Sequence, residues 1–204
     1  MHSSSSRAFS LLFGCGMLLA LTACGDKSDK GDSGENPLLG TWESTCIALN
    51  NNTASYRKTA SFTSADYTQA TMTFDGDGQC QTVSKILQDG GTYRIGKSAA
   101  GDTGAREIDF TVAQLLLTPK TQEIADTFND ISNCGITSWQ LDQPIDIKNR
   151  QNCELGSNTG DSAFDLFKVS GTNLNFGEID ATHDGTTAEK RPVTLSGDLT
   201  LQRK

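Results

Sequence analysis

Hydrophobic and polar residues alternate along most of the chain beyond residue 38. Ala70, Met72 and Phe74 are separated by threonines, and Ile108 and Phe110 follow the same period further on. A period of two is typical of a strand with one buried face. Similar stretches, separated by turn residues, recur near residues 41–48, 164–178 and 191–203. The pattern predicts about eight to ten antiparallel strands.

One segment has a helical period instead. Ile124, Phe128 and Ile131 are spaced by four and three residues, which places them on one face of a helix. The pair Thr118–Pro119 suits an N-cap followed by the first helical position. We therefore predict an all-β fold, an antiparallel β-barrel with one short amphipathic helix near residues 119–133. Closing the sheet into a barrel removes its exposed edges.

The first 23 residues have the character of a secretory signal peptide. Arg7 supplies a positive charge, an apolar run covers Ala8–Ala20, and small residues precede Cys24. The stretch Leu21–Cys24 resembles the lipobox of bacterial lipoproteins. That resemblance implies cleavage before Cys24, lipidation of its sulfur and acylation of the new amine. The alternative is an ordinary cleavable signal in which the cysteine is there by chance.

Residues 24–37 are predicted to form a lipidated cysteine and a disordered tether. Beyond Cys24 this segment contains no aliphatic or aromatic side chain that a core would bury. Residues 38–204 then form a single barrel domain near the membrane surface. Gly25, rather than an aspartate, follows the cysteine, and by resemblance to the enterobacterial sorting pattern this favours the outer membrane. We expect a protein of the bacterial cell envelope that contacts the membrane through its lipid.

The charge of the chain argues against some partners. The formal net charge is −8, and an acidic surface repels nucleic acid and anionic lipid head groups. We therefore expect no nucleic-acid partner and a monomeric, soluble domain.

Four cysteines follow the predicted lipidation site: Cys46, Cys80, Cys134 and Cys153. An even number in an exported chain indicates two disulfides, for which three pairings are possible. We favour Cys46–Cys80 and Cys134–Cys153, because they join near neighbours in sequence. A metal site is not expected, since no C-x-x-C motif occurs and His183 is the only histidine after the signal peptide.

The stretch Gly91–Ser98, "GTYRIGKS", fits the phosphate-loop pattern. Such a loop needs a buried parallel strand before it and a helix after it, whereas the flanks here are turn-like and Tyr93 and Ile95 alternate with polar residues. We predict a strand of a hairpin and no nucleotide or other cofactor. Catalysis is not expected either, because a serine–histidine–aspartate triad would depend on His183, which lies in a polar loop, and no G-x-S-x-G elbow occurs.

The stretch Gly40–Trp42 near the start of the domain resembles the G-x-W motif of lipocalin-like proteins. The resemblance implies that Gly40 and Trp42 lie on the first strand and that Trp42 packs across the closed end of the barrel. In that family a basic residue late in the chain often covers the tryptophan, a role for Arg203 or Arg191.

These expectations lead to a non-catalytic barrel that binds a small lipophilic ligand. Inward-facing apolar side chains would line the pocket of an open barrel. The candidates for this lining are Met72, Phe74, Phe110, Phe167 and Phe176. The alternative is a packed β-sandwich that acts through its surface as an interaction or inhibitory module on an envelope protein.

Overall fold

A computed structural model describes residues 36–101, 104–153 and 161–204 of the chain. The predicted signal peptide, Cys24 and almost all of the tether lie outside the described residues. Among the residues that are described, no helix has the length and apolar character needed to cross a membrane.

The described residues contain ten strands and one α-helix. In chain order these are β1 (Gly40–Ser44), β2 (Ile47–Leu49), β3 (Ala54–Phe62), β4 (Asp66–Asp75), β5 (Lys85–Ser98), β6 (Arg106–Pro119), α1 (Gln122–Asp130), β7 (Ile145–Asp146), β8 (Ser162–Ser170), β9 (Asn173–Gly177) and β10 (Leu195–Arg203).

Eight of the strands close into an antiparallel barrel, which confirms the predicted fold. Hydrogen-bonded neighbours follow the order β1–β10–β9–β8–β6–β5–β4–β3, and β3 pairs back with β1. The residue at which the barrel closes is Trp42, which faces Arg203 on one side and Ala60 on the other. The short strands β2 and β7 extend the sheet along β3 and β6. The packed sandwich of the alternative hypothesis is therefore not the observed architecture.

The helix is shorter than the predicted segment 119–133. Pro119 is the last residue of β6, opposite Lys85, so the strand continues where the helix was expected to begin. The N-cap is Thr121, whose hydroxyl accepts a hydrogen bond from the amide of Ile124. Phe128 is buried, whereas Ile131 follows the last helical turn and is 55% exposed.

A second apolar cluster is separate from the barrel core. In it, α1 and the segment that follows α1 pack against residues of β5 and β6. Its buried members are Leu115, Leu117, Phe128, Cys134, Ile136, Trp139 and Ile147. The rings of Phe128 and Trp139 meet edge to face at 5.1 Å. The helix is therefore attached to the barrel by its own small core.

Both predicted disulfides are confirmed. Cys46 is bonded to Cys80, and Cys134 is bonded to Cys153. The first closes a loop of 34 residues that spans β2 to the segment after β4, and the second closes a loop of 19 residues beside α1. Such cross-links stabilise a domain chiefly by restricting its unfolded chain.

The stretch Gly91–Ser98 is the second half of β5, and the antiparallel strand β6 follows it. This confirms the predicted strand in place of a phosphate loop. Gly91 is required because β6 approaches it closely: a Cβ at this position would collide with the carbonyl oxygen of Thr111.

Candidate ligand cavity

One end of the barrel is closed by Trp42 and Arg203. The indole is fully buried, and its Nε1 donates a hydrogen bond of 2.7 Å to the Leu38 carbonyl. The guanidinium of Arg203 lies 4.2 Å from the centre of the indole ring and donates to the carbonyls of Pro37 and Leu39. The structure thus brings Trp42 and Arg203 together in the way that the lipocalin resemblance implies.

Gly40 leaves room for this contact. Its φ is +111°, and a Cβ there would lie 3.3 Å from Nη1 of Arg203. A side chain at this position would strain the backbone and press on the guanidinium. Arg191, the other candidate to cover the indole, lies elsewhere, beside Asp109 and above the ring of Phe164.

Above Trp42, apolar side chains fill the barrel. The cluster consists of Leu38, Trp42, Ala60, Phe62, Tyr67, Ile108, Phe110, Phe167, Leu174, Phe176, Leu199 and Leu201. Phe110 and Phe167, two of the predicted pocket residues, are thus at most 5% exposed and belong to this core. Phe176, a third predicted pocket residue, also belongs to this cluster and is 8% exposed.

The remainder of the barrel contains a cavity of about 400 Å³, which we call the main cavity. Strands β3, β4, β5, β8, β9 and β10 contribute to its lining, together with the segment that follows β9. Of the five predicted pocket residues, Phe176 lines it. A second cavity of about 180 Å³, which we call the recess, includes Phe110 in its lining.

Met72 and Phe74 line neither the main cavity nor the recess. On β4 they alternate with Thr71, which lines the main cavity opposite Lys58 of β3. Successive side chains of a strand point to opposite faces, so Met72 and Phe74 lie on the outer face of the barrel. Phe74 is nevertheless only 2% exposed.

Five charged side chains lie in the lining of the main cavity. Lys58 comes from β3, Asp89 from β5 and Asp165 from β8, and Glu178 and Asp198 add two more carboxylates. No ion pair within 4 Å joins Lys58 to Asp89 or Asp165, all three of which the structure describes. Their charges are therefore left facing the cavity.

The position of Asp165 is fixed by the backbone around it. Its Oδ1 accepts hydrogen bonds from the amides of Leu166 at 2.7 Å and Gly177 at 2.9 Å. A Cβ on Gly177 would collide with Oδ1 of Asp165 and with the ring of Pro192, so only glycine permits this approach. Burial raises the pKa of Asp165 to about 7, although these hydrogen bonds and the charges of Lys58 and Arg191 act in the opposite direction.

Burial also shifts the neighbouring groups towards their neutral forms. It raises the pKa of Asp89 and lowers the pKa of Lys58, in each case against the pull of the opposite charge. The pKa of Tyr67 is raised by burial and, secondarily, by the negative charge of Asp89. The cavity is thus a shielded site in which charges are poorly solvated.

Arg191 attaches the segment after β9 to the barrel wall. Its Nη1 donates to the carbonyls of Ile108 and Asp165, each at 2.8 Å, and its Nη2 pairs with Asp109 at 2.6 Å. One guanidinium therefore links this segment to β6 through Ile108 and Asp109 and to β8 through the backbone of Asp165. Because Asp109 pairs with arginines, its pKa is lowered in spite of partial burial.

Two further polar groups lie outside the lining of the main cavity and the recess. The carboxylate of Asp77, in the aspartate- and glycine-rich turn after β4, accepts backbone hydrogen bonds from Gln79, Gln81 and Thr82. His183 lies in the segment after β9, where its Nδ1 is 3.2 Å from Asp180. Within the residues that the structure describes, no group of three or more potential ligands is arranged to hold a metal ion.

Lys58, Asp89 and Asp165 were not among the sequence-predicted site residues. The sequence signal that identifies two of them is a charged residue at a position of the strand where the alternation predicts a buried apolar side chain. Lys58 alternates with Ala60, which is buried, and Asp165 alternates with the buried Phe167. A charged residue in such a place is uncommon unless it has a function or a partner.

The fold and the cavity define the class of protein: a closed eight-stranded antiparallel barrel, consistent with lipocalin-like architecture, with one filled end and a charged cavity. The sequence matches no known protein-family model and no curated protein.

Proposed function

We propose that the protein is a lipid-anchored, non-catalytic binding protein of the bacterial envelope, whose barrel holds a small ligand with a positively charged group. The observation that carries this proposal is the main cavity of about 400 Å³ with Asp89 and Asp165 in its wall. A cavity of this size with a few placed polar groups is typical of a small-molecule site.

The charge of the lining selects the ligand. Four carboxylates face one ammonium group, Lys58, across the main cavity. An organic cation would compensate this excess of negative charge, and an amine would supply hydrogen-bond donors to the carboxylates. This refines the lipophilic ligand expected from the sequence, because Phe176, Leu199 and other apolar side chains still form part of the wall.

Binding of amines tests the proposal. Small primary amines should raise the thermal unfolding temperature of the purified protein at pH 8, and neutral alcohols of the same carbon skeleton should not. The double substitution Asp89→Asn and Asp165→Asn should weaken amine binding at least tenfold in a calorimetric titration, because both carboxylates are lost.

Asp130→Asn provides the matched control. Asp130 is exposed on α1 and lies outside the cavity, so its substitution should leave the affinity unchanged. Equal binding of amines and alcohols, or undiminished binding by the double variant, would refute the recognition of a cation.

The cellular location of the protein is a separate part of the proposal. Acyl chains on Cys24 would hold the domain at the membrane, most simply the outer membrane, because each buried methylene contributes about 0.8 kcal/mol. Replacing Cys24 with alanine should therefore move the protein from the membrane pellet to the soluble fraction after a carbonate wash.

Cys15→Ala is the control for this measurement, since Cys15 lies within the predicted signal peptide and its loss should not change the fractionation. Continued sedimentation of the Cys24→Ala variant with the membranes would argue against lipidation at this residue.

A further inference from the structure

The main cavity and the recess meet at two carboxylates. Four residues line both spaces: Gln69, Asp89, Asp165 and Ile179. Asp89 and Asp165 therefore stand at the junction of the two spaces. A cation held between these two carboxylates would be in contact with both the main cavity and the recess.

The recess differs in character from the main cavity. Beyond the shared residues, its wall is formed by Tyr67, Phe110, Val112, Ala163, Phe164, Asp184 and Gly185. Phe110, Val112 and Ala163 offer an apolar surface next to the shared carboxylates, and Asp184 is paired with Lys190. An apolar group that packs against this surface would be removed from water.

The recess wall also contains the hydroxyl of Tyr67, a residue that is 2% exposed. This hydroxyl interacts with the carboxylate of Asp89. Since Tyr67 lines the recess beside Asp89, a ligand amine that approaches the carboxylate can also donate to the hydroxyl oxygen.

The outer wall of the recess is formed by the segment after β9. Its backbone is attached to β8, because the amide of Phe164 donates to the carbonyl of Gly185 at 2.9 Å. The segment also presents Ile179, an apolar side chain that is 57% exposed and lines both spaces. An apolar ligand group at the recess would cover this side chain.

We propose that the ligand is an amphiphilic amine, with its ammonium group at the junction of Asp89 and Asp165 and its apolar group in the recess beside Phe110 and Ala163. This inference rests on the proposed function and names the class of ligand. The recess, with a volume of about 180 Å³, accommodates an aromatic ring or a short alkyl chain.

Three probe molecules separate the two recognition elements. Methylamine carries the charge alone, 2-phenylethanol carries the ring alone, and 2-phenylethylamine carries both. Calorimetric titration of the full-length protein at pH 8 should show 2-phenylethylamine binding at least tenfold more tightly than either of the others.

Variants locate the apolar group. Ala163→Leu fills the recess and should weaken 2-phenylethylamine at least fivefold while leaving methylamine unchanged. Thr127→Leu is the control, because Thr127 is exposed on α1 and lines neither space, and it should leave the affinity for both amines unchanged. Val112→Leu adds one methylene to the same recess and replaces Ala163→Leu if that variant does not fold.

The outcomes distinguish this inference from the proposed function. If no amine binds, both fail. If methylamine and 2-phenylethylamine bind equally, or if filling the recess has no effect, the cation site stands and the amphiphilic ligand is refuted. If 2-phenylethanol binds as tightly as 2-phenylethylamine, recognition of the charge is refuted.

Discussion

Replacing Trp42 with alanine is expected to lower the free energy of unfolding by roughly 3–5 kcal/mol. The indole is fully buried, and its removal leaves a void where β1 meets both of its neighbours in the barrel. The substitution also removes the hydrogen bond to the Leu38 carbonyl and the contact with the guanidinium of Arg203. Urea unfolding monitored by far-ultraviolet circular dichroism measures the loss.

Two further substitutions show whether the effect comes from the barrel closure. Trp42→Phe keeps part of the ring and should cost less than the alanine variant. Leu49→Ala removes an apolar side chain that is 40% exposed and should change the stability by no more than about 0.5 kcal/mol. An unfolding midpoint of Trp42→Ala equal to that of the parent would show that the indole does not hold the barrel closed.

The stability of the protein is expected to fall between about pH 4 and pH 7 through Asp165. Burial raises the pKa of this group from 3.8 to about 7 in the folded protein. The folded state thus binds the proton more tightly than the unfolded chain. The stabilisation is complete below the unfolded pKa and is lost as the pH rises through the folded pKa, with a total of about 4 kcal/mol.

Asp165→Asn should remove this dependence on pH. The amide oxygen can still accept from the amides of Leu166 and Gly177, so the local geometry is retained. The variant and the parent should differ little in free energy of unfolding at pH 4, and the variant should be the more stable at pH 8. Urea titrations at several pH values between these limits provide the measurement.

Other charged groups lie near Asp165, and their contributions to the pH dependence of stability must be distinguished from its own. Lys58 and Asp89 line the same cavity, and Arg191 binds the Asp165 carbonyl. The raised pKa of Asp89 contributes a decrease of the same sign, so a smaller slope should persist in Asp165→Asn. The control Asp130→Asn should retain the full dependence of the free energy of unfolding on pH. If Asp165→Asn also leaves this dependence unaltered, Asp165 is not its source.

The same titration bears on the ligand. An ammonium group binds an ionised carboxylate more tightly than a protonated one. Binding of an amine should therefore strengthen as the pH rises through about 7 and weaken on acidification. Below this pH, part of the binding free energy would be offset by the cost of removing the proton from Asp165.

Much of the fold could be predicted from local patterns. The alternation around Ala70–Phe74 and Ile108–Val112 indicated strands, and the structure has strands there. The disulfide pairing that was favoured for the proximity of the cysteines in sequence is the one observed. The meeting of Trp42 with Arg203 was implied by a short motif and not by periodicity.

Other features depend on which face of a strand points inward. Met72 and Phe74 alternate with polar residues as an inward-facing set would, yet Thr71 faces the cavity and they lie on the other side. Alternation defines two faces and does not say which one the barrel encloses. Likewise, Pro119 is compatible with the start of a helix or the end of a strand. It belongs to the strand because it pairs with Lys85 of β5.

The amino-acid sequence by itself determined that this chain forms antiparallel strands and carries four cysteines suited to two disulfides, because strand periodicity, turn residues and cysteine number are local properties. The tertiary structure decided that the strands close into a barrel and which cysteines pair. Only the tertiary structure decided which side chains meet inside. Lys58, Asp89 and Asp165 come from three strands that are distant in sequence. Their convergence depends on the strand order and register of the closed sheet, which no local pattern encodes.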